Sequence, residues 1–310
     1  MSKKISISLV DLQEQFDDFY AIEHAKETGA DGVDFTLFYH SVANKDDVYA
    51  KGQAAVEEYF LRLKNLADSY GIEISQVHGR ANGYGLTEEN SALFVRNTEL
   101  DCIAARVLGA KYCVIHTPPI TYVGDIPAVQ FDAIHDRMMD DILPFAAREG
   151  VKIALETHGY SLKLEKMEYF GYIDNLINAA NRAKARNKEY SDYVCVCVDT
   201  GHTNLITRHG HGSVGDAIRK LGSLVEVLHM HDNNGIRDQH KMLRTGIIDW
   251  DDVFSALEEV GYKGWYNLEN VLTHFGKGLE IDVAAFSVKT LRHALAERAC
   301  KYKGDSDYTV

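Results

Sequence analysis

The sequence predicts an α/β fold, a single closed (β/α)8 barrel, on the strength of three observations. Short β-rich runs recur at residues 5–10, 32–38, 73–79, 112–117, 152–157, 194–200, 225–231 and 264–269. Most gaps between them carry apolar residues at helical spacing, and strands alternating with helices build parallel sheets. Each of the last four runs also closes on a chargeable residue: Glu156, Asp199, His229 and Glu269.

In chain order, the first run follows Met-Ser-Lys-Lys with no apolar leader, and no later stretch has membrane-spanning length, so a cytoplasmic protein is expected. A helix is predicted through Tyr59, Phe60, Leu63 and Leu66, ending at Gly71. The third run closes on His78, and a second helix runs through Leu93, Leu100, Ile103, Ala104 and Val107 to Gly109. The fourth run closes on His116. The four prolines, Pro118, Pro119, Pro127 and Pro144, mark no linker, and composition does not shift along the chain, so residues 1–310 are expected to form one domain. The glycine-rich segment from His209 to Gly215 fits an anion cradle before a helix, with a plain flexible loop the favoured reading. Val253, Phe254, Leu257 and Val260 give the last of the clear helices, ending at Gly261.

Side chains alternate across a strand, so residues two apart share a face. On that rule Ala154 points inward with Glu156, Cys195 and Cys197 with Asp199, Val225 and Val227 with His229, and Asn267 with Glu269. All four chargeable residues then stand on the inner face at the carboxyl ends of their strands, where active sites of such barrels lie. Burying them uncompensated costs several kcal/mol or more, and a shared divalent cation is the simplest common partner. A single such residue would equally fit a polar rim position paired with an arginine or a helix terminus. Four on consecutive strands in one phase favour the cation. Three carboxylates and one imidazole suit Mn2+ first, with Mg2+, Co2+ and Zn2+ also compatible.

Bulk properties agree. A chain of 310 residues with 45% hydrophobic content has enough apolar surface for one large core. The net charge of −13 argues against nucleic-acid and membrane partners. Cysteines 102, 113, 195, 197 and 300 show no metal-type or redox-type spacing, so no disulfide is expected.

The segments Leu155-Glu156, Val198-Asp199-Thr-Gly-His202, Leu228-His229-Met-His-Asp232-Asn, Gly246-Ile-Ile-Asp249-Trp250 and Asn267-Leu-Glu269 carry a resemblance to the xylose isomerase-like TIM barrel superfamily of sugar isomerases, epimerases and endonuclease IV. The resemblance covers essentially the whole chain. It implies one divalent ion held by Glu156, Asp199, His229 and Glu269, with His229 rather than His231 as ligand because Asp232 completes a His-x-x-acid pattern. It implies catalysis by Glu156 and Glu269: one carboxylate removes the proton beside a carbonyl, a metal-stabilised enediolate forms, and the other carboxylate or the same one returns the proton. The expected function is therefore metal-dependent isomerisation or epimerisation of a small-molecule sugar or sugar derivative.

Around this centre, His78, His116, His202, Asp238 and His240 are expected to bind substrate. The same positions match the three-zinc pattern of endonuclease IV, with His78, His116 and Glu156 for one ion, the inner four for another, and His202, Asp238 and His240 for a third. Further metal sites are therefore compatible with the sequence. Apurinic/apyrimidinic cleavage is an alternative function, disfavoured by the acidic charge and the absence of basic and aromatic wedge loops. A lyase acting on an oxidised sugar or C-glycoside would use the same start. A carbohydrate-binding barrel without activity would not need both glutamates. Departures exist: ketose 3-epimerases carry a glutamate and an arginine where this chain has Leu162 and Gly235, and hydroxypyruvate isomerases have glutamine at His229. Arg237, Lys241 and Arg244 could take over recognition, though exposed loop cations are usually just solvated. A homo-oligomer is compatible with such a barrel.

Overall fold

The computed structural model describes residues 3–81, 83–116 and 128–305, without the side chains of 128 and 300–305. The end of the fourth expected run at 117, Pro118, Pro119 and Pro127, and the Cys300 side chain lie outside the described residues. All eight expected strands form: β1 Ile5–Ser8, β2 Gly32–Thr36, β3 Glu73–His78, β4 Tyr112–Ile115, β5 Lys152–Glu156, β6 Val194–Asp199, β7 Val225–His229 and β8 Tyr266–Leu268. Neighbours pair in parallel from β1 to β7, and β8 returns to β1 with Ile5 opposite Tyr266. Only the seam between β7 and β8 lacks a full ladder. There Met230 N donates to Asn267 O (2.8 Å) and Glu269 N to Met230 O (3.1 Å), closing the barrel with two bonds.

Helices surround the sheet: α1 Val10–Gln15, α2 Asp18–Ala25, α3 Gln53–Tyr70, α4 Glu88–Leu108, α5 Ala128–Glu149, α6 Ile173–Arg186, α7 Thr200–Thr207, α8 Val214–Leu221, α9 Trp250–Glu259 and α10 Glu280–Asp305. The expected stops are real, since Gly71 and Gly109 end α3 and α4 in the left-handed conformation (φ 67° and 82°), which costs glycine nothing. Gly215 lies inside α8, whose start is capped by Ser213 and Asp216; the carboxylate already occupies that helix terminus. Among the described residues no helix is long and apolar enough to cross a membrane.

The interior phase follows the expected alternation with one exception. Val114, Ala154, Cys195, Cys197 and Val227 form a small cluster inside the barrel, distinct from the large core between sheet and helices that holds Ile153, Leu155, Val194, Val196 and Val198. Val225, expected inside, belongs to the outer core instead. The β6–β7 register slips at this point, Val196 facing Val225 and Cys197 facing Val227, so one extra residue of β7 is accommodated in a bulge. The extra residue, Glu226, binds Lys152 Nζ (2.6 and 2.8 Å) and Tyr112 Oη (3.2 Å) at the amino end of the barrel. Cys102, Cys113, Cys195 and Cys197 are free, buried thiols.

Two buried polar clamps hold the loop between β2 and α3. His40 lies between Asp18 (3.1 Å) and Asp47 (2.9 Å), and Tyr59 Oη donates to Asp18 (2.8 Å). Arg80 grips Asp101 with two bonds (2.7 and 2.9 Å) and donates to the carbonyls of His40 (2.8 Å) and Leu37. Between these anchors sits Phe38, whose ring meets His78 edge-on at 5.4 Å at the barrel mouth. Burial disfavours a charged His40, yet hydrogen bonds to Asp18 and Asp47 outweigh it and raise its pKa from 6.5 to about 9. Both carboxylates are held below the usual range, although burial opposes this, by their bonds to His40. The imidazolium therefore stabilises the fold fully below pH 6.5 and loses that contribution as pH rises through about 9, while the carboxylates lose theirs as pH falls below 3.8. His40→Gln is expected to lower stability by about 2–3 kcal/mol at pH 6 and by much less at pH 10. Denaturant titrations at both pH values check this, and an equal loss at both would contradict the charged clamp.

Candidate metal centre

The four strand-end residues converge at the carboxyl end of the barrel. Ligand atoms of Glu156, Asp199, His229 and Glu269 all lie within 4.8 Å of one another. His229 Nδ1 stands 3.3 Å from Glu156 Oε1 and 3.4 Å from Glu269 Oε2. Glu156, Asp199 and His229 are buried, and Glu269, one residue past β8, is slightly exposed. Glu156 Oε2 is buried without a well-oriented hydrogen bond among the described residues, although His116 Nε2 lies 2.9 Å away. An orphaned carboxylate oxygen amid three other hard donors fits a divalent cation.

His229 is oriented from behind by Asp34 of β2, whose Oδ2 lies 3.2 Å from Nε2. Asp34 in turn accepts from Gln76 Nε2 and Asn267 Nδ2 (both 3.1 Å), and Asn267 Oδ1 accepts from Ser6 Oγ (2.9 Å). No well-oriented hydrogen bond forms there among the described residues, but a carboxylate behind the ring with the other nitrogen turned toward Glu156 and Glu269 is the arrangement used to orient metal-binding histidines. Asp34 was not among the expected site residues. It lies inside the run Gly32-Val-Asp-Phe-Thr36 rather than at its end, and its inward phase was the only signal available.

Asp199 does two jobs: its Oδ1 caps α7 by accepting from His202 N (2.6 Å), and both its oxygens approach His231 Nε2 (2.9 and 3.0 Å). Gly201 makes room for this, because a Cβ there would overlap the His231 ring. His231 thus flanks Asp199 from outside, and its donor also forms a compact set with those of His240 and Glu269. Asp232 lies outside the cluster. It accepts from Trp250 Nε1 (2.9 Å), Asn233 N (2.9 Å) and Ile248 N (3.2 Å), anchoring the segment that leads into α9.

Besides the set of His231, His240 and Glu269, the outer residues gather in two further groups. His78 Nε2 lies 3.7 Å from Glu156 Oε2, and the His78, Glu156 and His229 donors form a second compact set. His202 Nε2 and His240 Nε2 both face Asp238 Oδ2, at 3.2 and 3.1 Å, a third set. His240 has a left-handed backbone (φ 43°), held by its Nδ1 on Glu269 O (2.9 Å) and by Val271 N on its own carbonyl (3.0 Å). Sequence reasoning also missed His158, whose ring stands 5.4 Å from His116 and whose Nδ1 lies 3.3 Å from Glu168.

Electrostatics separate these groups. Burial pushes the Glu269 carboxyl up to about 8, against the pull of His229 and His240. Glu156 goes the other way: burial would raise it, but His116, His229 and His202 hold it well below the carboxylate range. Despite burial, His202 and His240 are raised by the carboxylates facing them, His240 to about 10. His78 is lowered to about 4, first by burial and then by His116. Beside the cluster is a cavity of about 340 Å3, lined by the polar Glu156, Glu269, His202, Asp238 and His240 and the apolar Val10, Phe38, Ala81 and Val271.

Comparisons with known proteins fit this architecture. The family described as "Xylose isomerase-like TIM barrel" matches residues 22–282. The uncharacterized protein MJ1311 of Methanocaldococcus jannaschii is 25% identical over 213 residues, covering 67% of this chain and 68% of that protein. Among solved structures, an L-ribulose 3-epimerase superposes with a TM-score of 0.73 at 14% identity, covering 99% of each chain. IOLI protein with a bound zinc atom superposes at 0.69 and 17% identity, covering 95% of this chain and 98% of that one. At such identities these structures establish the fold. Asp34→Asn, which keeps the shape but removes the charge behind His229, is expected to weaken divalent-metal affinity about 10–100-fold with little loss of folded structure. Competition against a chromophoric chelator measures this, and unchanged affinity would contradict the orienting role.

Proposed function

The chain belongs to the xylose isomerase-like TIM barrel family, and from that premise we propose that it is a divalent-metal-dependent isomerase or epimerase of a sugar or sugar derivative. The convergence of Glu156, Asp199, His229 and Glu269 within 4.8 Å on four successive strands carries this reading. These four would hold one ion, with Mn2+ the first choice; Zn2+, named in one structural neighbour, shares the same donor chemistry. When bound, the ion supplies Lewis acidity that makes the proton beside a carbonyl easier to remove.

The remaining work falls to the chain. Glu156 and Glu269 both approach His229 Nδ1, at 3.3 and 3.4 Å, so they border one small volume. Two carboxyls bordering one small volume suit a pair in which one accepts a proton and the other, or the same one, returns it. Return to the neighbouring carbon isomerises, and return to the same carbon from the opposite face epimerises. His202, Asp238, His240, His78 and His116 would bind hydroxyls around the reacting carbons. Phe38, Val10 and Val271 line the same cavity and would cover the C–H face of a sugar. A lyase acting on an oxidised sugar or C-glycoside would begin with the same proton abstraction.

Solvent-deuterium incorporation across ketoses, aldoses and inosose-like compounds tests the reading. The metal-loaded protein is expected to label at least one of them beside its carbonyl. Glu156→Gln and Glu269→Gln are each expected to reduce that exchange by about 100-fold or more while leaving the protein folded. Full exchange in both variants would refute the assigned roles.

A second reading has its own observation, the third compact set formed by His202, Asp238 and His240 beside the inner cluster. With His78, His116 and Glu156, these residues match the pattern of a three-metal endonuclease IV-like apurinic/apyrimidinic endonuclease. Elemental analysis after chelator-free purification is expected to find about one equivalent of metal on the sugar reading. About three equivalents together with incision of an abasic duplex would favour the nuclease.

A further inference from the structure

Beyond the Asp238–His240 edge of the cavity lies a groove of about 630 Å3 lined by Arg237, Lys241, His274 and Phe275. Asp238, His240 and Val271 line both spaces, so groove and cavity share a wall. Building on the sugar reading above, we propose that this groove is a subsite for an anionic group, a carboxylate or a phosphate, at the end of the substrate remote from the reacting carbons. The chain then acts on an anionic sugar derivative.

Charge distribution carries the argument first. The chain has 46 acidic and 33 basic residues, and several helix arginines are taken up by carboxylates, as in Arg182 with Asp132, Arg186 with Asp140 and Arg219 with Glu259, while Arg62 lies over the Phe19 ring. Arg237 and Lys241 have no side-chain ion pair or hydrogen bond among the described residues, and both line one groove. The cavity itself has the opposite character: Glu156, Asp238 and Glu269 line it, and no described lysine or arginine does. An anionic group is repelled from the carboxylate wall and attracted over it, which fixes the direction in which a charged substrate enters.

Anchorage comes second. Lys241 pairs with Asp232 through two backbone bonds (2.8 and 2.9 Å), and its carbonyl accepts from Asn270 Nδ2 (2.8 Å). Arg237 N donates to Asn234 Oδ1 (3.0 Å). Both cationic stems therefore start from fixed backbone, so little ordering is lost on binding beyond the side chains themselves. Phe275, 62% exposed, adds an apolar surface on the same groove.

The test compares a neutral ketohexose, its terminal phosphate ester and its terminal carboxylate in solvent-deuterium exchange by the metal-loaded full chain, with wild type and Arg237→Gln/Lys241→Gln. At least one anionic compound is expected to exceed the neutral one in kcat/KM by about tenfold, and the double variant is expected to bring that ratio to near unity through KM rather than kcat. Which anion is preferred separates the carboxylate from the phosphate source. Arg237→Lys/Lys241→Arg, which keeps both charges, is expected to restore most of the ratio. A neutral compound preferred by wild type, or a ratio unmoved in the double variant, overturns the subsite while leaving the sugar reading intact. Exchange with none of the three tells against the sugar reading instead. The subsite is then decided by titrating inorganic phosphate and glucuronate into both proteins: saturable binding lost in the double variant supports it, and equal or absent binding overturns it.

Discussion

Four ionisable groups closing four successive strands create a charge problem that the rest of the structure is arranged around. Glu156, Asp199 and His229 are buried, Glu269 nearly so, and their donor atoms share a space only a few ångströms wide. Carboxylates so placed repel one another and lose solvation, and only protons, cationic side chains or a metal ion can compensate. Burial pushes the Glu269 carboxyl up, and despite burial the carboxylates facing His202 and His240 raise both rings, so paired charge offsets part of the cost. On the function proposed, Glu156, Asp199, His229 and Glu269 would hold a divalent ion that offsets the rest.

The barrel interior is built unevenly to serve this arrangement. On the β4–β7 side, Val114, Ala154, Cys195, Cys197 and Val227 pack as a dry layer beneath Glu156 and Asp199. On the β8–β1–β2–β3 side the layer is polar: Ser6 donates to Asn267, Asn267 and Gln76 each donate to Asp34, and Asp34 faces His229. The apolar half raises the electrostatic stakes by excluding water, and the polar half fixes the ring that the other ligands converge on. Above them, the loops after β7 and β8 are stitched together at His240, Lys241 and Asn270, which fixes this part of the mouth.

Much of this was legible in the sequence, because strand and helix periods are local. The eight runs, the glycine stops of α3 and α4 and the inward phase of Glu156, Asp199, His229 and Asn267 all follow from spacing two or spacing three to four. Where a residue is held by something distant in sequence, the spacing was silent. At the β7 bulge Glu226 pairs with Lys152, 74 residues away, and Val225 lies in the outer core rather than inside as alternation alone predicts. Asp34 acquires its role only by meeting a histidine on another strand. His158 and Glu168 come together through a short hairpin, Tyr160–Ser161 with Lys166–Met167, that is too brief to leave a period. Asp232 fitted a family pattern and turned out to hold a loop, since its partners Trp250 and Ile248 lie beyond the reach of a four-residue motif.

The central claim, one cation shared by four strand ends, is tested most directly by anomalous scattering from crystals of the full chain grown with Mn2+. The account predicts a strong anomalous peak about 2.0–2.3 Å from oxygens of Glu156, Asp199 and Glu269 and from His229 Nδ1. A saturated crystal with no peak among these residues, or with manganese only elsewhere, would contradict it.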